Sequence, residues 1–424
     1  MAADRRVVYI NARLIDPASG RDERGALLTV GGKIWDLGAA LFADGITDGS
    51  EVVDCKGMCL TPGFIDMQVF LGESVDTTAK AAAAGGVTSI ATMPNMNPVV
   101  DRASLVDYVE RLAHDSGVRI HPIAAATKDL GGEEMTEIGL LRQAGALAFT
   151  DGRKAIADSQ VMRRILTYAK AHDALVIQHA EDPMLAREGV MNEGEMATRL
   201  GLPGIPSIAE VIMIERDLRL VALTGCRYHV GLVTTAAAVD AVRKAKAAGL
   251  PVTCGTAPHY FALNELAVAE YRTFARTSPP LRTEEDRRAV VEGLADGTID
   301  VIVSSHDPHD VESKRLPFDL AASGVIGLET LLPIMLELHH GGHVPLAHLL
   351  AALTSRPAGI LGIPGGRLAK GERADLVLFN PDTPWRIDPE QFHSKAKNSP
   401  FEGRPVQGRI IRTILGGRTV YQAG

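Results

Sequence analysis

The chain has 424 residues, with 44 Lys and Arg against 52 Asp and Glu, a formal charge of −8 and a pI of about 5.9. Hydrophobic residues at 46% and charged residues at 23% are ordinary globular proportions, which excludes a disordered, collagen-like or coiled-coil protein. The acidic balance offers no basic footprint for a duplex, and aromatics at 4% offer no stacking platform for single strands, so nucleic acid is not an expected partner.

Residues 1–60 read as short strands: VVYINARLID, GALLTVGGKIWDLG and SEVVDCKGMCLT, with turn signals at Gly31-Gly32 and Asp48-Gly49. The N-terminal stretch shows no apolar signal-peptide core, and no run reaches the roughly 18 apolar residues of a membrane span. Four cysteines (Cys55, Cys59, Cys226, Cys254) form no C-x-x-C pair. These features together predict a soluble, cytoplasmic chain with buried thiols. Cys55 and Cys59 have no second pair to complete a structural zinc site.

From residue 61 the pattern changes. Eight apolar runs of strand length follow: GFIDMQVFL, TSIATMPN, RIHPIAAAT, ALAFTD, ALVIQHA, RYHVGLV, PVTCGTAPH and DVIVSSHDPH. Helix-like stretches lie between most of them, among them RASLVDYVERLAHDSG, SQVMRRILTYAKAHD and TAAAVDAVRKAKAAGL, several ending in Gly. Eight β-α units predict a (β/α)₈ TIM barrel over about residues 61–365. An open doubly wound sheet is the alternative, but its Gly-rich phosphate loop is missing after the first run. Residues 366–424 return to strand patterns (ADLVLFNPDTPWRID, RIIRTILGGRTVYQAG). The expectation is a small β-sandwich built from 1–60 and 366–424, with two independent β units as the alternative.

In a barrel of this kind, chemistry collects at the C-terminal ends of the strands. Those ends carry Gln68, Phe70 and Glu73; Asn95; Lys128; Asp151; His179; His229; His259; and Ser304, Ser305, His306, Asp307 and His309. Motifs for a G-x-S-x-G nucleophile, an H-E-x-x-H helix, a P-loop or a C-x-x-C redox pair are absent.

The motifs TPGFIDM, SIATMPNMNP, ATKDLGGEEMTEIGLLRQAGALAFTDG, QHAED, SPPLRTEEDR, LADGTIDVIVSSHDPH, GVIGLETLLP and KGERADLVLFNP run in order along nearly the whole chain. On these the chain resembles the dihydroorotases of the amidohydrolase superfamily. The resemblance implies an amidohydrolase-type barrel in pyrimidine biosynthesis, and a divalent metal pair, normally zinc, that polarises a cyclic amide carbonyl and activates a water. It implies a His-x-His pair on strand 1, where alternate residues share a face. It further implies a carboxylate or carboxylated Lys on strand 4, a His on each of strands 5 and 6, and an Asp on strand 8 as ligand and general base.

The chain departs from that set. Gln68 and Phe70 stand for the histidine pair, Leu232 for the strand 6 His, and Ser305 for the strand 8 Asp. Gly72 stands for an Arg that grips the substrate carboxylate, and Ser278 for an Asn. Asp151 and His179 remain as vestigial metal positions, and Asn95 and His309 as vestigial substrate-binding positions. His306, Asp307, His309 and Asp310 form a ligand-rich loop that the resemblance assigns to structure and substrate contact. His339, His340 and His343 are expected at a solvated helix end, and His259 is expected to be structural. The departures predict no bound cofactor and a non-catalytic homologue. The resemblance implies that it acts as a structural partner of aspartate carbamoyltransferase, in a homo-oligomeric state. The alternatives are a degenerate but active dihydroorotase or other cyclic-amide hydrolase using zinc, and a small-molecule binding module.

Overall fold

A computed structural model describes residues 5–42, 45–46, 49–113 and 116–424. Asp48 of the second predicted turn, and His114 and Asp115 at the end of one predicted helix, lie outside the described residues.

Eight parallel strands close a barrel: β1 (Phe64–Val69), β2 (Val87–Thr92), β3 (Arg119–Pro122), β4 (Ala148–Phe149), β5 (Leu175–Gln178), β6 (Arg227–Val230), β7 (Val252–Thr256) and β8 (Val301–Ile302). Continuous ladders join β1 to β2 to β3, and β4 through β8. Two single parallel bridges complete the ring: Ala124 to Phe149, and Val69 to His306. Each predicted apolar run coincides with one of these strands, β2 starting one residue earlier, at Val87. The strands are mostly apolar because both faces are covered, by helices outside and by the barrel filling inside. Every residue of β2 is buried.

The intervening helices begin where polar side chains can satisfy their free N–H groups. Ser74 caps Val75–Ala84, Asp158 caps Ser159–Ala171, Thr235 caps Ala236–Ala247 and Thr283 caps Glu284–Ala295. Ile208–Thr224 ends at Gly225 in the left-handed conformation (φ 66°), which a side chain would disfavour.

Both ends of the chain meet in one eight-stranded sheet. Arg6–Asp16 pairs along one edge with Arg21–Val30. Its other edge is shared between Glu51–Asp54 and Cys59–Pro62, both parallel to it. Cys59–Pro62 then pairs antiparallel with the start of Leu376–Arg386, which continues into Pro405–Leu415 and Arg418–Gln422. Gly63 passes from this sheet into β1 so tightly that a Cβ would stand 2.2 Å from Thr88 Oγ1. Arg119 at the start of β3 holds Asp375 through two hydrogen bonds, of 2.9 and 3.1 Å.

A later segment ties the C-terminal part to the top of the barrel. Glu329 accepts hydrogen bonds from the backbone N–H groups of His393 and Ser394, both 3.1 Å. Glu73, just past β1, accepts from Ser394 Oγ at 3.0 Å and from the Ala396 N–H. Asn398 donates to the carbonyls of Asp307 and Gly324, both at 3.1 Å. The loop after β8 is thereby braced from outside the barrel.

Burial is the main reason the Glu329 carboxyl is pushed up to about 7; the two backbone donors and Lys397 oppose it, and Glu73 adds to it. A carboxyl that titrates near 4.5 unfolded and near 7 folded keeps its proton longer in the native state. Its stabilising contribution is therefore complete below about 4.5 and lost as pH rises toward 7. Chemical denaturation of the wild type and Glu329→Gln across this window should show their stability difference shifting against the wild type by about 3 kcal/mol. Parallel profiles would contradict this.

Candidate functional site

A cavity of about 220 Å³ opens at the C-terminal end of the barrel, where the ends of β1 and β5 meet the loops after β4, β7 and β8. Its centre is an arginine. Arg153, in the loop after β4, donates from Nε to Asp307 Oδ2 at 2.8 Å and from Nη2 to Oδ1. The same guanidinium lies over the Phe70 ring, 4.0 Å from its centroid. A planar cation can bond a carboxylate through one edge and stack on an aromatic face at once. Burial works to raise the Asp307 carboxyl, but hydrogen bonding from His309 and Arg153 holds it below the usual carboxylate range. His309 Nε2 stands 3.5 Å from Asp307 Oδ2.

The other side of the mouth carries His179. Its Nε2 is 3.1 Å from Ser278 Oγ and 3.9 Å from Glu181 Oε1. Burial works to raise Glu181, but His179, Arg282 and Ser278 keep it below the usual range. His259 lines the cavity beside Tyr260, and burial pushes its imidazole down to about 3, so it is neutral.

The structure places the sequence-predicted residues as follows. Gln68 lines the cavity, with Nε2 3.5 Å from Ser305 Oγ. Ser305 lines it as well, in a left-handed conformation (φ 50°). Phe70 is the stacking face just described. Leu232 is buried in an apolar cluster with Ile65, Met67 and Phe70. Asp151, expected as a metal position, is turned away: its carboxylate accepts from the Thr127 N–H at 2.9 Å and from the Thr127 hydroxyl. It does not line the cavity, and burial raises its carboxyl despite those bonds.

Gly152 follows Asp151 at φ 67°, and a Cβ there would stand 1.6 Å from Asn95 Oδ1. Asn95 therefore packs against the β4 loop and is not part of the cavity lining. His309 sits behind Asp307, against a second cavity that Lys314 and Lys397 also border. The ligand-rich loop is dispersed. His306 is buried in the barrel wall, with Nδ1 accepting from the Gly327 N–H at 3.4 Å, and Asp310 caps the helix Val311–Lys314. His339 and His340 lie at the end of the helix Leu331–His340, and His343 is exposed just beyond.

Gly72 has no room for the Arg that the resemblance implies. A Cβ there would stand 2.7 Å from the Pro308 carbonyl oxygen. Zinc fares no better. Among the described residues no three His, Cys, Asp or Glu side chains gather into a metal-binding group, whereas a zinc centre takes three or four such ligands. The residues at this mouth do not fit a metal pair.

Sequence reasoning passed over Arg153. Its only signal is a basic residue directly after Asp151-Gly152, at the end of a barrel strand, in a chain that also puts Phe at β1 and Asp in the β8 loop.

Barrel, site position and joined terminal strands define a protein of the amidohydrolase type. Residues 57–238 match the sequence model described as dihydro-orotase-like, and residues 337–421 that of the amidohydrolase family. The dihydroorotase of Anaplasma phagocytophilum is 47% identical over 98% of this chain and 95% of that protein. That of Syntrophotalea carbinolica is 42% identical over 98% and 99%. In structure, the chain is similar to the L-hydantoinase (dihydropyrimidinase) of Arthrobacter aurescens, with a TM-score of 0.87 at 25% identity, over 99% of this chain and 96% of that one. The chain belongs to the dihydroorotase family.

Replacing Arg153 by Met keeps the apolar stem on Phe70 but leaves the buried Asp307 carboxylate without its cation. Because Arg153 is partly exposed, the expected loss is moderate, about 1–3 kcal/mol in urea denaturation at neutral pH. The double variant Arg153→Met with Asp307→Asn should recover part of it. An Arg153→Met protein as stable as the wild type would show that the pair contributes nothing.

Proposed function

We propose that this chain is a dihydroorotase-family barrel that does not catalyse the ring reaction and serves as a structural partner of aspartate carbamoyltransferase. One observation carries the first half: at the mouth of the barrel, the ligand positions implied by the family are filled by Gln68, Phe70, Leu232 and Ser305, and Arg153 stacks on Phe70 while binding Asp307. A metal-dependent amidohydrolase needs a polarised carbonyl and an activated water, each worth several kcal/mol, and each 1.36 kcal/mol is a factor of ten in rate. A mouth with no ligand set supplies neither.

The partner reading rests on what such homologues are associated with and on what the chain keeps. The barrel, its capped helices and the joined terminal strands are intact while the mouth has changed, so the retained property is shape and surface. A stable assembly would bury roughly 1,200–2,000 Å² in total, or more. No helix among the described residues is long and apolar enough to cross a membrane. Self-association and an intracellular, pyrimidine-pathway setting belong to the same proposal.

A second reading, an active dihydroorotase using zinc, is favoured by the close relatives that bear that name. Two measurements separate the readings. The isolated chain, supplied with zinc, is expected to show no dihydroorotate hydrolysis and no carbamoyl aspartate cyclisation. Co-expressed with the aspartate carbamoyltransferase of the same organism, it is expected to co-elute in size exclusion with light scattering. Robust zinc-dependent turnover overturns the non-catalytic reading. Separate elution, with transferase activity unchanged when this chain is omitted, overturns the structural one.

A further inference from the structure

The cavity retains hydrogen-bonding capacity that the protein leaves unused. Gln68 has one weak contact, Nε2 to Ser305 at 3.5 Å, and its Oε1 has no hydrogen-bond partner among the described residues. The Ser323 hydroxyl is buried at the cavity wall without a partner. Arg153 commits Nε and Nη2 to Asp307, which leaves Nη1 without a hydrogen bond. The His259 ring, 2% exposed, has none either. A buried group such as the Ser323 hydroxyl is normally satisfied by a ligand or by ordered water, and the other three offer open donors and acceptors beside it.

The geometry of these groups selects a kind of ligand. Gln68 presents an N–H and a C=O side by side, which pairs in two bonds with another amide held cis, as in a lactam, imide or ureide ring. The Phe70–Arg153 stack supplies a flat wall. A volume of about 220 Å³ suits a single six-membered ring with its substituents.

The charges select further. Arg153 and Asp307 cancel each other, and Glu181 is answered by Arg282 and accepts from Ser278. A ligand carboxylate would add an unmatched charge beside the buried Asp307 carboxylate, and the place of an arginine that could receive it is closed at Gly72 by Pro308.

We propose that the barrel mouth binds an uncharged cyclic amide or ureide through Gln68, and discriminates against the same ring when it carries a carboxylate. This concerns equilibrium binding and holds whether or not the ring is opened.

Two probes differ by the one group in question: 5,6-dihydrouracil and dihydroorotate. Isothermal titration of the full chain at neutral pH should give saturable binding of dihydrouracil, at least about tenfold tighter than dihydroorotate, a difference of roughly 1.4 kcal/mol. Gln68→Leu, with unchanged circular dichroism and melting temperature, should weaken dihydrouracil by about tenfold or more, the usual loss when a ligand's amide is left unpaired. Asp307→Asn, which frees Arg153 to meet an anion, should narrow or reverse the preference. Equal or tighter binding of dihydroorotate by the wild type overturns the proposal. So does absence of dihydrouracil binding, or an affinity unaffected by Gln68→Leu. Chromatography of the recovered probes reports ring opening separately. Opened product would overturn the non-catalytic reading and leave the binding selectivity standing.

Discussion

The arrangement at the mouth depends on one cation that is part of the chain. Asp307 lies in a loop where its carboxylate is buried, and a buried carboxylate without a partner is costly. Arg153 answers it through two parallel hydrogen bonds and rests its open face on Phe70. Three strand ends, β1, β4 and β8, are joined by this contact. In a metal-dependent barrel such a convergence of strand ends is held by ions taken from solution. Here a guanidinium takes the central position.

The surrounding structure keeps this contact in register. Asp66 on β1 accepts from the backbone of Ser304 at 3.1 Å and of Gln68 at 3.0 Å, which locks β1 to the end of β8. Burial pushes that carboxyl up to about 6 in spite of its donors. From outside, Asn398 holds the Asp307 carbonyl, and its segment is itself held by Glu73 and Glu329. The approach of Pro308 to Gly72 closes the gap between β1 and the β8 loop.

Much of the fold was legible because it rests on local patterns. Apolar runs bounded by turn residues locate the eight barrel strands, and Gly at the ends of helix-like stretches marks helix stops such as Gly85 and Gly225. The order of the terminal sheet was not legible. Pairing Cys59–Pro62 with Leu376–Phe379 is a contact across more than three hundred residues, and no local signal specifies it. At the site, Gln68 and Phe70 could be placed at the mouth because alternate residues of a strand share a face, and His179 and Ser305 because they follow the ends of β5 and β8. Asp151 could not. The β4 ladder spans only Ala148–Phe149, and beyond it alternation no longer governs direction. Thr127 captures the carboxylate, and the left-handed turn at Gly152 brings Arg153 to the mouth instead. A single arginine without a spacing motif becomes significant only when Phe70 and Asp307 are seen on either side of it.

If Arg153 is the cation of this mouth, as proposed, no divalent metal centre forms there. Elemental analysis after zinc loading and desalting tests it most directly, on the wild-type chain purified under reducing conditions. The account predicts zinc well below one equivalent per chain, with the same melting temperature before and after treatment with a chelator. Near-stoichiometric zinc that survives desalting, with a melting temperature that falls when the chelator removes it, would contradict it.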